Sequence, residues 1–336
     1  MTNTGVQPLS FKDLLTASEL TAAEAQLLYA TVASIKREPA RYASALAGKA
    51  AVMLFEKPSL RTRVSFEIGI SKLGGSALFY DHAFERIGER ESVHDYARNL
   101  ERWADVIIAR TYSHAVIEQF AAYSSVPVIN ALSDDFHPCQ ALADLYTLQE
   151  KIGPLAGRSL AYIGDGNNVC HSLILLGATL GLNITVVSPS GFAPREDVLS
   201  LVQRACAKSG STMTVESTPE AIAGHDAVYT DVWTSMGHEH EAQARRQTFL
   251  PFRVTSELME LSGSGGASGS PALFMHCIPA HRGEEVTDEV IDSPNSIVFD
   301  QAENRMHVQN ALLLHMLTSD KPEIKTKPAF PTAVAS

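Results

Sequence analysis

The chain has 336 residues, 45% hydrophobic and 19% charged, enough for two ordinary cores and too evenly mixed for disorder. Its formal charge of −11, with no long basic run, argues against nucleic acid or an anionic membrane surface as a partner. Cys139, Cys170, Cys206 and Cys277 form no CxxC pair and no metal-ligand spacing, so a reduced, cytoplasmic protein without structural disulfides or zinc is expected.

In chain order, Met1 to Gly5 lack the basic-then-apolar layout of a secretion signal, and no apolar run is long enough to span a membrane. Short β-type runs then alternate with helical patterns from end to end. The first half offers strands at Ala50–Phe55, Ser76–Tyr80, Val106–Ala109 and Val126–Ile129. The second offers Leu160–Ile163, Ile184–Val187, Met213–Val215, Ala227–Thr230, Leu273–His276 and Ile297–Phe299. This alternation predicts an α/β fold of two doubly wound domains, each with a mostly parallel sheet flanked by helices. A Gly-Pro-containing stretch, Lys151 to Gly157, reads as the hinge. Ser262–Ser270 reads as a flexible insertion, and the chain after Leu317 as a loosely held tail.

Sites in such sheets lie beyond the carboxyl ends of the strands, where the polar clusters of this sequence fall. Ser59-Leu60-Arg61-Thr62-Arg63 follows the first strand and opens a helix, gathering hydroxyls and guanidiniums at a positive helix end: a phosphate trap. The alternative is a capped surface helix with solvated arginines. Arg110 follows the third strand and either meets the same anion or is a surface arginine. His137-Pro138-Cys139-Gln140 starts the next helix, with His137 and Gln140 on one side, able to polarise a carbonyl or hold an amide. Gly164-Asp165-Gly166-Asn167-Asn168 resembles a dinucleotide-binding turn but has Val169 where the third glycine would fall, so NAD is weakly indicated. The asparagines suit the carboxylate or amine of a small zwitterion. Asp231, followed by Ser235-Met236-Gly237, can bind an amino group and close over it. His276-Cys277-Ile278-Pro279 follows a strand; its thiol is inert packing unless it lies near Asp231, where the two could orient an amine and share its proton. Glu303-Asn304-Arg305 introduces a helix at Met306–Leu317 and adds a guanidinium.

Together and in this order, these segments resemble the aspartate and ornithine carbamoyltransferase family, over nearly the whole chain from Ser10 to Leu317. The Ser-Met-Gly loop and the His-Cys-Ile-Pro segment point to its ornithine branch. The resemblance implies that 1–150 bind carbamoyl phosphate, that 151–302 bind L-ornithine, and that a C-terminal helix, 303–318, packs back on the first domain. By the same resemblance Ser59, Leu60 through its N–H, Arg61 and Thr62 hold the donor phosphate, with Arg110, His137, Gln140 and Arg305 at its carbamoyl end. Asn168, Asp231, Ser235, Met236, Cys277 and Ile278 hold ornithine, and Cys277, Asp231, Arg305, Arg110 and His137 serve catalysis. No metal or organic cofactor is implied, and a homotrimer is. Three positions depart from the family pattern: Leu60 stands where threonine is usual, Arg86 where glutamine is often found, and Ile278 where leucine is commoner. The implied reaction is direct transfer to the ornithine side-chain amine, giving citrulline and phosphate. Putrescine or an N-acylated ornithine as acceptor, an NAD-dependent oxidoreductase, and a non-catalytic carrier of phosphorylated metabolites are the alternatives.

Overall fold

The computed structural model describes residues 5–234, 237, 239–263 and 271–317. Ser235, Met236, the stretch 264–270 and the chain after Leu317 lie outside these described residues. One sheet is built from β1 (Ala50–Phe55), β2 (Ser76–Asp81), β3 (Val106–Arg110) and β4 (Val128–Leu132), in the order β2-β1-β3-β4. The other, in the order β7-β6-β5-β8-β9, comes from β5 (Ser159–Ile163), β6 (Asn183–Val187), β7 (Met213–Glu216), β8 (Ala227–Thr230) and β9 (Leu273–His276). Every strand pair is parallel. β3 and β4 are buried along their whole length, as apolar strands covered on both faces should be.

Along the first half run α1 (Ala22–Arg37), α2 (Pro39–Tyr42), α3 (Leu60–Lys72), α4 (Val93–Leu100), α5 (His114–Tyr123) and α6 (Pro138–Ile152). The second half carries α7 (Asn168–Thr179), α8 (Glu196–Ser209), α9 (Ala242–Phe249), α10 (Ser256–Gly263) and α11 (Asp288–Ile291). The last helix, α12 (Val298–Leu317), leaves the neighbourhood of β9 and packs on α6, α1 and α3. The largest core is therefore shared: Ile108, Leu142 and Leu145 belong to the same cluster as Leu160, Leu173, Leu176 and Leu312. Among the described residues no helix is long and apolar enough to cross a membrane.

Three expectations differ. Ile297–Phe299 is not a strand: Ile297 gives one N–H bond to Phe274 O (3.0 Å), and helix begins at Val298. A three-residue apolar run fits either period, and the burial of Val298, Gln301, Arg305, Val308 and Leu312 against an exposed Phe299 fits only the helical one. Arg305 thus sits two turns inside a helix and not at its start. The fourth strand begins at Val128, after Pro127, which has no N–H to give to a ladder. Ser262 and Gly263, read as part of a flexible loop, close α10.

Candidate active site

The two sheets present their carboxyl ends to one cleft of about 570 Å³. On the first side β1 runs into α3, with Ser59 as N-cap in extended conformation. Its Oγ accepts the Thr62 N–H (3.3 Å) and donates to Thr62 Oγ1 (2.9 Å), so two hydroxyls converge at a positive helix end. Arg61 lines the cleft beside them. Leu60, 74% exposed, also lines it and brings no hydroxyl. Arg63 turns away: its guanidinium lies over the Phe79 ring (3.9 Å) and pairs with Glu67 (3.1 Å), so the motif sends one arginine to the cleft, not two.

Arg110, at the end of β3, is buried and donates from Nε to Lys57 O (3.2 Å). Burial first, then Arg305 and Arg61, push its pKa down to about 9, the mark of crowded cations without a counter-anion. Arg305 reaches the same place from α12. It donates to Gln140 Oε1 (2.6 Å), Thr62 Oγ1 (2.7 Å) and His137 Nε2 (3.3 Å), tying the Ser59–Arg63 segment to the His137–Gln140 segment. Because a guanidinium only donates, His137 Nε2 must accept, which places the ring proton on Nδ1. That atom is buried with no partner among the described residues. Burial, with Arg305 and Arg110 adding to it, holds the His137 pKa well below its ordinary range, so the ring is a neutral donor.

On the second side Asp231, beyond β8, is buried and accepts three bonds: from Asn167 Nδ2 (2.8 Å), the Val232 N–H (2.8 Å) and the Cys277 thiol (2.9 Å). The enclosed position of the sulfur and the adjacent carboxylate push the thiol well above its ordinary range, so Cys277 is a protonated donor and not a thiolate. Beneath it, His276 Nδ1 accepts the Ile278 N–H (2.8 Å) while its Nε2–H faces Glu285 (3.2 Å), with ring and acid both fully buried. This fixes the loop that carries Ile278, at φ 44°, and Pro279, after a cis bond. Asn168 lines the cleft and donates to Ser133 O (2.6 Å), stitching the two sides.

Ser59, Leu60, Arg61, Thr62, Arg110, His137, Gln140, Asn168, Asp231, Cys277, Ile278 and Arg305 therefore line one cleft, while Ser235 and Met236 lie outside the described residues. The Gly-Asp-Gly turn departs from a dinucleotide site. Gly166 is needed because its Cα lies against the backbone of Ala193 and Pro194, and its N–H bonds Phe192 O (2.8 Å), so protein backbone takes the close approach that a pyrophosphate would need. Sequence reasoning gave both asparagines to a small zwitterion and missed the structural work of Asn167, which caps α7 through Oδ1 while orienting Asp231 through Nδ2. It also missed the pairs that rim the cleft, Lys57 with Asp134, Arg195 with Asp135, and Arg245 with Asp165 (2.7 Å). Lys57, one residue before Pro58, was legible from its place in the motif; Arg195, the extended residue just before α8, and Arg245, within α9, carry no local signal.

Residues 12–150 match the family described as aspartate/ornithine carbamoyltransferase, carbamoyl-P binding domain, and residues 156–316 match its Asp/Orn binding domain. The chain is 49% identical over 307 residues to an ornithine carbamoyltransferase of Shewanella oneidensis, covering 91% of this chain and all of that one. It is 45% identical over 318 residues to that of Halalkalibacterium halodurans, covering 93% and 97%. Among solved structures, ornithine carbamoyltransferase from Pyrococcus furiosus superposes with a TM-score of 0.88 at 44% identity, covering 94% of this chain and 100% of that one. The Thermus thermophilus enzyme gives 0.80 at 42% identity, covering 92% and 99%. The chain belongs to the aspartate/ornithine carbamoyltransferase family.

Proposed function

We propose that the protein transfers the carbamoyl group of carbamoyl phosphate to the side-chain amine of L-ornithine, giving L-citrulline and phosphate. The observation that carries this is one cleft with two unlike ends: hydroxyls and guanidiniums at α3, and the Asp231–Cys277 pair opposite. Ser59, Arg61, Thr62 and the Leu60 N–H take the phosphate. Arg110, Arg305 and neutral His137 bind the carbamoyl oxygen, which gains charge as the amine attacks, and being held in advance they need no rearrangement at that moment. An alkyl amine has a solution pKa of roughly 10, so the site must select its neutral form. Asp231 and Cys277 position that amine; transfer is direct, and holding both reactants together supplies up to roughly 7–11 kcal/mol of the barrier. Asn168, Ser235, Met236 and Ile278 hold the rest of the acceptor.

Residues 1–150, with the C-terminal helix, serve as the donor domain and 151–302 as the acceptor domain. The donor binds first, and closing over it completes the acceptor side. A homotrimer acting in the cytoplasm is part of the same reading; four cysteines without a disulfide support the reducing compartment. The test is citrulline formed from carbamoyl phosphate with ornithine, putrescine or N-acetylornithine side by side. Ornithine is expected to lead by about 100-fold or more, since a site built to pair polar groups rejects acceptors lacking or masking them. Equal use of putrescine, or no product, defeats the reading, and a fully active monomer in sedimentation defeats the trimer.

A further inference from the structure

Behind the cleft lies a second polar layer centred on Asp144, which does not itself line the cleft. This residue stands one turn along α6 from Gln140 and is fully buried. A buried carboxylate is tolerated only when its oxygens are satisfied. Three donors from three elements do so: Gln140 Nε2 and Gln301 Nε2, each 2.8 Å from Oδ1, and the Tyr229 hydroxyl, 2.8 Å from Oδ2.

A carboxylate only accepts, so both amides must turn their NH₂ groups toward it and their oxygens away. The Gln140 oxygen then accepts from Arg305 (2.6 Å), and the Gln301 oxygen accepts the His276 N–H (3.0 Å), one residue before Cys277. If Asp144 did not impose this orientation, either amide could rotate and aim an NH₂ at a guanidinium or at a backbone N–H. We propose that Asp144, which touches no substrate, is the positioning residue of this site: through Gln140 and Gln301 it sets Arg305 and the Cys277 strand end in one frame across the two sheets. This goes beyond the carbamoyl-transfer reading and rests on it only for the enzymatic assay.

The charged and titratable groups facing Asp144 are Tyr29 of α1, Tyr229 of β8, Cys277 after β9 and Arg305 of α12. Burial, opposed by the three hydrogen bonds and Arg305, raises Asp144 to about 6. A proton on it removes the charge that faces Arg305, so kcat acquires an acid limb near pH 6.

The experiment compares the whole enzyme with Asp144→Asn and Asp144→Ala, measuring kcat against pH and the affinity for inorganic phosphate by calorimetry. Asparagine keeps an acceptor for both amides and removes the charge: kcat falls about tenfold and its limb near pH 6 disappears. Alanine frees both amides and lowers kcat about 100-fold. Phosphate affinity stays within about twofold in both, because Ser59 and Arg61 are not touched by the layer. The proposal is overturned if Asp144→Asn keeps the wild-type kcat and acid limb, or if phosphate affinity falls in step with kcat. Should the alanine variant not fold, the asparagine profile decides alone. Should the wild type form no citrulline, the transfer reading fails while Asp144 is still judged, by exchange of the Gln140 side-chain amide protons, assigned by their loss in Gln140→Glu. Slow exchange made fast in Asp144→Ala supports the proposal; unchanged exchange overturns it.

Discussion

Arg110 and Arg305 are buried side by side, and no described carboxylate hydrogen-bonds either of them. A bound phosphorylated donor supplies the missing negative charge, which is why the anion end should be sensitive to single cations. Arg61→Ala is expected to weaken inorganic phosphate or carbamoyl phosphate by about 1.5–3 kcal/mol, roughly ten- to 150-fold, the worth of a hydrogen bond to a charged group. Unaltered affinity in calorimetry would remove Arg61 from the anion site. At the other end, the Cys277 thiol stays protonated beside Asp231, so the rise in activity between about pH 6 and 9 must come from the acceptor amine and not from the thiol. Cys277→Ser is therefore expected to keep the shape of the pH profile and the donor affinity while lowering kcat and raising the ornithine KM. A profile that flattens in the serine variant would assign the titration to the thiol instead. The residue types in the Ser-x-Arg-Thr and His-Cys-Ile-Pro segments were legible because each follows a strand, where a parallel sheet opens its sites. Asp144 was not: a lone acid inside an amphipathic helix reads as a solvated one until the partners from β8 and α12 are seen around it.

Among the elements, those carried by apolar runs of four or more were readable, and β1, β3, β5 and β8 lie within a residue of expectation. The start of α12 was hidden because Ile297-Val298-Phe299 is too short to show its period, and only packing against α6, α1 and α3 selects helix. The turn between β5 and α7 teaches the reverse lesson: its glycines resemble a dinucleotide motif, yet Gly166 serves contact with the Ala193–Pro194 backbone. A methyl group there must push that backbone aside. Gly166→Ala is expected to destabilise the fold by about 1–3 kcal/mol, as overpacking does, and to raise the ornithine KM more than it weakens phosphate, because Asn167 and Asn168 follow directly. Equal loss at both ends of the cleft would contradict that assignment.

For the molecule as a whole, burial holds His114, His137, His171 and His315 below the ordinary histidine range. The unfolded chain takes up protons on these side chains below about pH 6.5 that the native state refuses, so their contribution to stability is lost as pH falls through that value. Asp13 and Asp144 act with opposite sign: raised to about 6 by burial, they favour the native state at low pH and lose that contribution as pH rises toward 6. Between pH 6 and 7 the histidines therefore dominate, and Tm in calorimetry is expected to rise across this interval. A Tm that falls there would mean that the buried imidazoles are charged in the native state. The path of α12 has a further consequence. Arg305 joins side chains from positions 62, 137 and 140, so a ribosome must translate more than 240 codons past Thr62 before that residue meets its last partner. A product released by termination just before that codon would carry Arg61, Arg110, Arg195 and Arg245 and still lack the group that fastens Thr62, His137 and Gln140 together, so turnover would report that translation has passed this point.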